Sequence, residues 1–303
     1  MPELPEVENI VRSVKPLVLG RRITGVEWRW CGVDSKGQPV APRIFQNPVP
    51  EFHKALCGAR IEEVSRYGKN IVFRLMRDME GRNMEGNAPR YLLIHLGMTG
   101  QLTCEGTPEF RSKHTHMVLS LDEPGRWLHY TDIRRFSRLR ITDHLQHELG
   151  RLGPDPLEIS FAEFFQLLRS RRAMLKSLLL NQYFLRGIGN IYADEALFHA
   201  GIHPAVWASR LTRKRALGLY RGIREILDLA IERGGSSIAN YVDAQGRAGQ
   251  FQLLHQVYRR TGQPCFRCGA RIRKMLIASR STHFCPRCQR SAGRVVFRRE
   301  SSV

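Results

Sequence analysis

Four cysteines constrain this chain more than any other feature. Cys265 and Cys268, then Cys285 and Cys288, form two C-x2-C pairs separated by 16 residues. Two such knuckles supply four thiolates to one tetrahedral zinc ion, with a hairpin spanning the gap. Two coincidental pairs or a redox motif are the alternatives. Four cysteines leave no open coordination position, so the expected Zn2+ is structural. Between the knuckles RIRKMLIA reads as one strand and THFC as the other, which places Ser279, Arg280 and Ser281 at the hairpin tip. Arg280 there is either a phosphate contact or a solvated arginine, and the sequence weighs the two equally.

The remaining cysteines, Cys31, Cys57 and Cys104, lie far apart, which argues against a disulfide framework. The N-terminus MPELPEVEN carries acid and proline where a secretory leader has a basic segment and an apolar core, so a cytoplasmic location is expected. No run approaches the roughly 18 apolar residues of a membrane span, and no membrane association is expected. A chain of 303 residues suits two domains, or one with appendages. With 48 Lys+Arg against 28 Asp+Glu the formal charge is +20, which makes nucleic acid the leading partner and leaves a generic basic surface as the alternative.

Along the chain, Val7, Ile10, Val11 and Val14 recur at helical spacing, and Pro16 marks the expected end of that helix. From about residue 23 to 141 short β-prone runs follow: IEEVSRY, NIVFRLM, YLLIHL, THMVLSL, RWLHYT and SRLRIT. Met117, Leu119 and Leu121, then Leu139 and Ile141, alternate as half-buried strands do, and the whole predicts a sandwich or flattened barrel. The polar segment from Arg77 to Arg90 reads as an exposed, mobile loop, and DHLQHELGRLGPDPLE as a linker. Beyond it the period is helical through Phe161, Phe164, Phe165 and Leu168, Met174 to Leu180, Ile191 to Ala200, and Leu219 to Ile231, with Gly234 and Gly235 as the stop. Residues 235 to 262 lack periodicity and read as a flexible loop followed by a connector.

PELPEVE at 2–8, HLGMTG at 95–100, TDIRRF at 131–136, GIGNIYADEALF at 187–198, AGIHP at 200–204 and the terminal cysteine pairs make the chain resemble the formamidopyrimidine-DNA glycosylases. The resemblance implies an α+β multidomain fold. Its expected parts are an N-terminal β-sandwich with a flanking N-terminal helix (1–141), a linker (142–157), a helical helix-two-turn-helix region with a lesion loop (158–262), a zinc ribbon (263–290) and a basic tail (291–303). It also implies a monomeric bacterial enzyme that acts on double-stranded DNA containing oxidised bases or abasic sites, associated with the nucleoid through that binding.

By the same resemblance the nucleophile is the nitrogen of Pro2, exposed once Met1 is removed. Alone, a proline at position 2 is a neutral leader residue. Glu3 is the expected general acid, and Glu6 the second carboxylate that positions the N-terminus; isolated, both would read as acids at a helix start. Lys69 resembles the catalytic-set lysine that holds phosphate near the lesion and assists catalysis, though alone a lysine at a strand start reads as solvent-facing, and His95 resembles a further phosphate contact. Met98, Arg134 and Phe136 resemble the side chains that fill the stack vacated by an extruded base, though alone the first and last would be core residues. Asn190, Lys176 and Tyr258 match DNA-contacting positions, and Arg280 on the hairpin completes both the catalytic and the DNA-binding sets. SSIANYVDAQGRAGQF matches the loop that closes over 8-oxoguanine, with Gly246 and Gly249 read as marks of mobility.

Four departures stand out. Ile133 sits where the family commonly has Pro, Ser137 where it has Gly, the Arg77–Arg90 loop is longer than the resemblance leads one to expect, and a basic tail continues past Cys288. The activity implied is excision of oxidised purines followed by β,δ-elimination. Endonuclease VIII, the sister enzyme for oxidised pyrimidines, and a noncatalytic zinc-ribbon DNA binder are the alternatives. PELPEVE and the long lesion loop favour purines.

Overall fold

The computed structural model describes residues 1–29, 43–77, 88–109, 112–238 and 240–290. Cys31, the centre of the Arg77–Arg90 segment and the tail from 291 lie outside these residues. The chain divides into two compact units, Met1–Arg151 with Ala230–Gln252, and Leu152–Leu229 with Leu253–Val303. Residues 230–252, grouped with the helical region in the sequence reading, belong to the first unit.

In the first unit, helix α1 (Leu4–Val18) starts after Glu3, whose extended backbone donates its N–H to Glu6 Oε2 at 2.8 Å. Pro5 near the helix start already has the required φ. The expected stop at Pro16 is not where the helix ends. A proline removes one N–H to the carbonyl four residues back, a small loss in a last turn that buries Val14 and Val18 and closes with Leu19 N–H on Lys15 O.

Among the described residues eight strands follow: β1 (Ile23–Trp28), β2 (Ala59–Tyr67), β3 (Asn70–Arg77), β4 (Arg90–His95), β5 (Gly100–Glu105), β6 (Thr115–Leu121), β7 (Trp127–Asp132) and β8 (Arg138–Thr142). They pair antiparallel in two four-stranded sheets, ordered β1-β6-β7-β5 and β2-β3-β4-β8. Both sheets and α1 feed one apolar core, including Val7, Ile10, Val64, Phe73, Ile94, Leu102, Leu119 and Leu139, so the expected sandwich with its flanking helix is present.

Two strands and one helix of this unit escape the linear pattern. β1 and β5 are polar enough to read as loop. Helix α2 (Val49–Leu56) lies inside the β region, held by Phe52, whose ring meets those of Trp28 and Phe45 edge-on at 5.7 and 5.3 Å. Strand β6 does not alternate as expected: Thr115 to Leu119 are all buried, because His116 and Val118 on its outer face are covered as well. Leu139 and Ile141 of β8 do alternate. A short helix α3 (Leu145–Leu149) occupies the expected linker.

The second unit holds α4 (Phe161–Arg169), α5 (Leu175–Leu180), α6 (Asn190–His199) and most of α7 (Arg213–Glu232), then β9 (Arg273–Ile277) paired with β10 (Arg280–Phe284). Ser160 and Glu163 close a capping box at α4, each satisfying the other's backbone N–H. Ile191 to Phe198 of α6 are buried on every side, Asp194 and Glu195 included. Gly234 and Gly235, at φ 75° and 80°, end α7 as expected.

Candidate active site and nucleic-acid interface

Pro2 and Glu3 are buried at the mouth of α1, and Glu6 lies one turn in, 1% exposed. The Glu6 carboxylate does two jobs. One oxygen accepts the Glu3 N–H, and the other accepts the Ser236 N–H at 2.7 Å. A Cβ on Gly235 would stand 3.0 Å from Glu6 Oε1, and the φ there is positive, so only glycine lets the chain pass this close.

The segment after Gly235 is tied down further, contrary to the reading of it as loose. Ala244 N–H donates to Ser13 Oγ at 3.0 Å, Cys104 N–H donates to Ala244 O at 2.8 Å, and the Tyr241 hydroxyl donates to Glu6 O at 3.2 Å. Gly249 serves packing here and not mobility, since a side chain there would strike the carbonyls of Gly234 and Gly235. Attachment through main-chain groups has no hydrophobic period, which is why the sequence gives it no signal.

Lys69 is buried in the turn from β2 to β3, and Asn70 pairs with His95 across β3 and β4. Burial, with the cations Lys69 and Arg138 beside it, pulls the His95 imidazole down to about 4. His95 is therefore neutral at ordinary pH and accepts the Gly97 N–H at Nδ1. Lys69, His95 and Arg138 form a cluster suited to an anion; the sequence reading missed Arg138, whose only signal is its strand-start position opposite His95.

Met98, Arg134 and Phe136 come together on the surface of the first unit. Met98 is 36% and Phe136 54% exposed, so neither is the core residue its type would predict. The Arg134 guanidinium lies 4.8 Å above the Phe136 ring and 3.5 Å from Met98 Sδ. Gly97 is required at φ 59°, where any Cβ would meet the Phe136 carbonyl.

In the second unit Lys176 does not reach the surface. Its side chain is 0% exposed, and its ammonium donates to Asp194 Oδ1 at 2.7 Å and Asn190 O at 2.9 Å. The ammonium for which a phosphate contact was expected is thus sequestered in an ion pair and does not face solvent. Asp194 Oδ2 accepts both the backbone N–H and the Nδ1 of His283 at 3.0 Å, so one carboxylate ties α5, α6 and β10 together. Asn190 opens α6 and donates Nδ2 to Ser281 O at 2.9 Å. Tyr258 stacks edge-on against His255 and His283, and Glu195 gathers the N–H groups of Gln256, Val257 and Tyr258. Burial raises the Glu195 carboxyl above its usual range even against those three bonds.

Asp194 and Glu195 were also missed as working residues. Acids inside an all-apolar helix run are the signal, since each must find a partner. Replacing Asp194 with Ala leaves the Lys176 charge buried and is expected to cost about 3–5 kcal/mol. The double change Asp194→Asn with Lys176→Met is expected to recover much of that loss, as read by chemical denaturation of the zinc-loaded protein.

The four cysteine Sγ atoms lie within 4.8 Å of one another, with Cys268 to Cys285 at 3.4 Å and Cys265 to Cys288 at 3.9 Å. Sulfurs about 2.3 Å from a shared zinc would be spaced in this range, so the residues fit the ion. The Ala270 N–H beside Cys268 pulls its thiol down to about 7, which eases thiolate formation. The hairpin turn is Ala278–Ser279, and Arg280 pairs with Ile277 as the first residue of β10, one step from the expected tip. Ala278 and Ser279 have φ of 50° and 56°, the conformation that Asn-Gly adopts without strain. Ala278→Asn with Ser279→Gly is expected to stabilise the ribbon by about 1–2 kcal/mol, seen as a higher melting temperature of the zinc-loaded protein.

Three family models match the chain in order: the formamidopyrimidine-DNA glycosylase N-terminal domain over residues 1–139, the H2TH domain of the same enzymes over 152–242, and the zinc finger found in FPG and IleRS over 262–290. The formamidopyrimidine-DNA glycosylase of Solibacter usitatus is 48% identical over 96% of this chain and all of its own length. The MutM (FPG) protein of Thermus thermophilus aligns with TM-score 0.77 at 40% identity, covering 95% of this chain and 98% of its own. A Lactococcus lactis FPG variant, solved with a Fapy-dG containing DNA, aligns with TM-score 0.81 at 34% identity over 96% of this chain and 100% of its own. With its sandwich, helical unit and cysteine ribbon each matched in sequence and in shape, the chain belongs to the formamidopyrimidine-DNA glycosylase family.

Proposed function

We propose that this protein removes oxidised purines, 8-oxoguanine and formamidopyrimidines, from duplex DNA and then cuts the strand, with the nitrogen of Pro2 as nucleophile. One observation carries the reading. The buried Pro2–Glu3 end of α1 is locked by Glu6, which holds the backbone of Glu3 and of Ser236 at once. A secondary amine next to Glu3, whose backbone Glu6 holds, is suited to iminium chemistry once Met1 is removed.

With Met1 removed, the Pro2 lone pair forms a bond to the sugar C1′, and the bond from C1′ to the base breaks, the base leaving with the proton that the amine gives up. Glu3 protonates the deoxyribose ring oxygen, so the ring opens and a C1′ iminium forms on Pro2. Loss of a C2′ proton from the iminium expels the 3′ phosphate by β-elimination, and loss of a C4′ proton from the resulting conjugated iminium expels the 5′ phosphate by δ-elimination. Water frees Pro2 from the sugar fragment, leaving phosphate ends around a gap. Glu6 positions the amine. Lys69 and His95, with Asn190, Tyr258 and Arg280, hold phosphates, and a chain with formal charge +20 draws in the polyanion. Lys176 sets the Asn190 end of α6. Met98, Arg134 and Phe136 occupy the space left by the extruded base, repaying part of the few kcal/mol of unstacking.

One structural Zn2+ holds the ribbon through Cys265, Cys268, Cys285 and Cys288, and its closed set of thiolates takes no part at the sugar. No described helix is long and apolar enough to cross a membrane. The working form in this reading is a monomer in the bacterial cytoplasm, gathered on the nucleoid by DNA.

Incubation with an 8-oxoguanine duplex in borohydride is expected to trap one covalent protein–DNA adduct per active chain. A tight binder that traps nothing overturns the reading in favour of a noncatalytic module. Faster excision of oxidised thymine than of 8-oxoguanine places the chain with endonuclease VIII instead.

A further inference from the structure

Beneath the exposed Met98, Arg134 and Phe136 sits a carboxylate that the mechanism does not use. Asp132, at the end of β7, is 0% exposed. Its Oδ1 accepts the Thr99 hydroxyl at 2.6 Å and the Arg134 N–H at 3.2 Å. Its Oδ2 accepts the Ser137 hydroxyl at 2.6 Å and the Ser137 N–H at 3.0 Å. The Arg134 N–H is shared with Thr99 Oγ1 at 3.1 Å.

We propose that Asp132 is a positioning residue that fastens the Met98 turn and the Ile133–Phe136 loop into one preset wedge, and that Ser137 is its second fastening in this chain. Thr99 directly follows Met98, while Arg134 and Ser137 enclose Arg135 and Phe136. A single carboxylate therefore holds the hydroxyl of the residue after Met98 and the backbone N–H groups on either side of Arg135 and Phe136. The loop would not otherwise hold its shape, since Arg135 has a φ of 56°, which an arginine adopts only under restraint.

The partners of Asp132 are hydroxyls and backbone N–H groups, so its charge is satisfied without drawing in the Arg134 guanidinium. Burial raises the carboxyl, yet the Ser137 and Thr99 hydroxyls and the backbone N–H groups together hold it below the usual range, so it stays ionised and remains an acceptor for all of them. Ser137 is also where the chain departs from the glycine that the resemblance leads one to expect. Its side chain adds a fastening that a glycine cannot supply, in a loop that has Ile133 in place of a stiffening proline.

The proposal rests on the reading of Met98, Arg134 and Phe136 as stack fillers, and the experiment separates the two. Asp132→Asn, Thr99→Val and Ser137→Ala are compared with Met98→Ala and Phe136→Ala in the zinc-loaded protein. Three readings are taken: single-turnover excision of 8-oxoguanine, the fluorescence rise of a 2-aminopurine stacked beside the lesion, and affinity for undamaged duplex. Asp132→Asn is expected to slow both excision and the fluorescence rise about 100-fold, the magnitude of a misplaced contact, with duplex affinity changed less than about threefold. Ser137→Ala and Thr99→Val are expected to slow them about tenfold each.

If Met98→Ala and Phe136→Ala leave the fluorescence rise unchanged, the stack-filling reading fails. If those two slow it while the Asp132, Thr99 and Ser137 variants match the parent, this proposal alone fails. Equal losses in excision and in undamaged-duplex affinity make Asp132 a merely structural residue and also overturn it. Should Asp132→Asn not fold, the two hydroxyl variants decide.

Discussion

Acetylating the Pro2 nitrogen, or leaving Met1 attached, is expected to lower excision of 8-oxoguanine by about a thousandfold or more while duplex binding survives. An amide nitrogen shares its lone pair with the carbonyl and is not a nucleophile, whereas the free ring amine is a strong one. The bond to C1′ therefore needs position 2 to be the first residue of the working chain. Glu3 and Glu6 would remain buried and bonded in the blocked protein, because the N–H that Glu6 holds belongs to Glu3 and not to Pro2. Phosphate contacts are likewise untouched, so affinity should persist and separate a chemical defect from a folding one. The check is intact mass to establish the N-terminus, then single-turnover excision and borohydride trapping on the blocked and free forms. Equal turnover by both forms would end the claim that this amine is the nucleophile.

Stripping the zinc, or changing Cys265 and Cys285 to Ser, is expected to melt the ribbon and weaken duplex binding by more than about 100-fold. Strands β9 and β10 have five residues each, and the small cluster around them contains Cys265, Cys285, Ile272, Val257 and Phe198. So short a hairpin is marginal in water without a cross-link, and a zinc bound by four thiolates contributes about 10–16 kcal/mol of apparent binding energy to such a fold. The loss spreads beyond Arg280. His283 of β10 supplies two of the bonds to Asp194, and Ser281 O accepts from Asn190, so the opening of α6 loses its partners when the hairpin melts. Metal content should be one zinc per chain, and adding zinc back should restore both the melting transition and binding. A zinc-free protein that melts and binds like the parent would show that the cysteines hold nothing of consequence.

Much of this was readable from residue order, because the strongest signals are local. The cysteine pairs, the strands from IEEVSRY to SRLRIT, and the glycine stop after α7 each depend on spacing within a few residues, and each lies where spacing puts it. What spacing conceals is partnership across distance. Lys176 reads as a surface cation until Asp194, 18 residues on, is seen to consume its charge. Ser13 reads as a filler on α1 until it receives the Ala244 N–H, 231 residues away. Met98 and Phe136 are apolar and sit on the outside because Gly97 and Asp132 hold their backbones there, and no periodicity records that. The resemblance assigns them to stack filling, and both lie exposed, where residue type alone would have buried them.

The docking of the segment after Gly235 separates anchorage from recognition. Its moorings to α1 and β5 include the Ser236 N–H, the Ala244 N–H and the Ala244 carbonyl, with the Asn240 carbonyl accepting from Gln101 Nε2 and the Tyr241 hydroxyl as a side-chain addition. Any residue but proline offers the first two, and every residue offers the third. Side chains between those points can therefore drift in evolution while the strap keeps its place against the N-terminal helix.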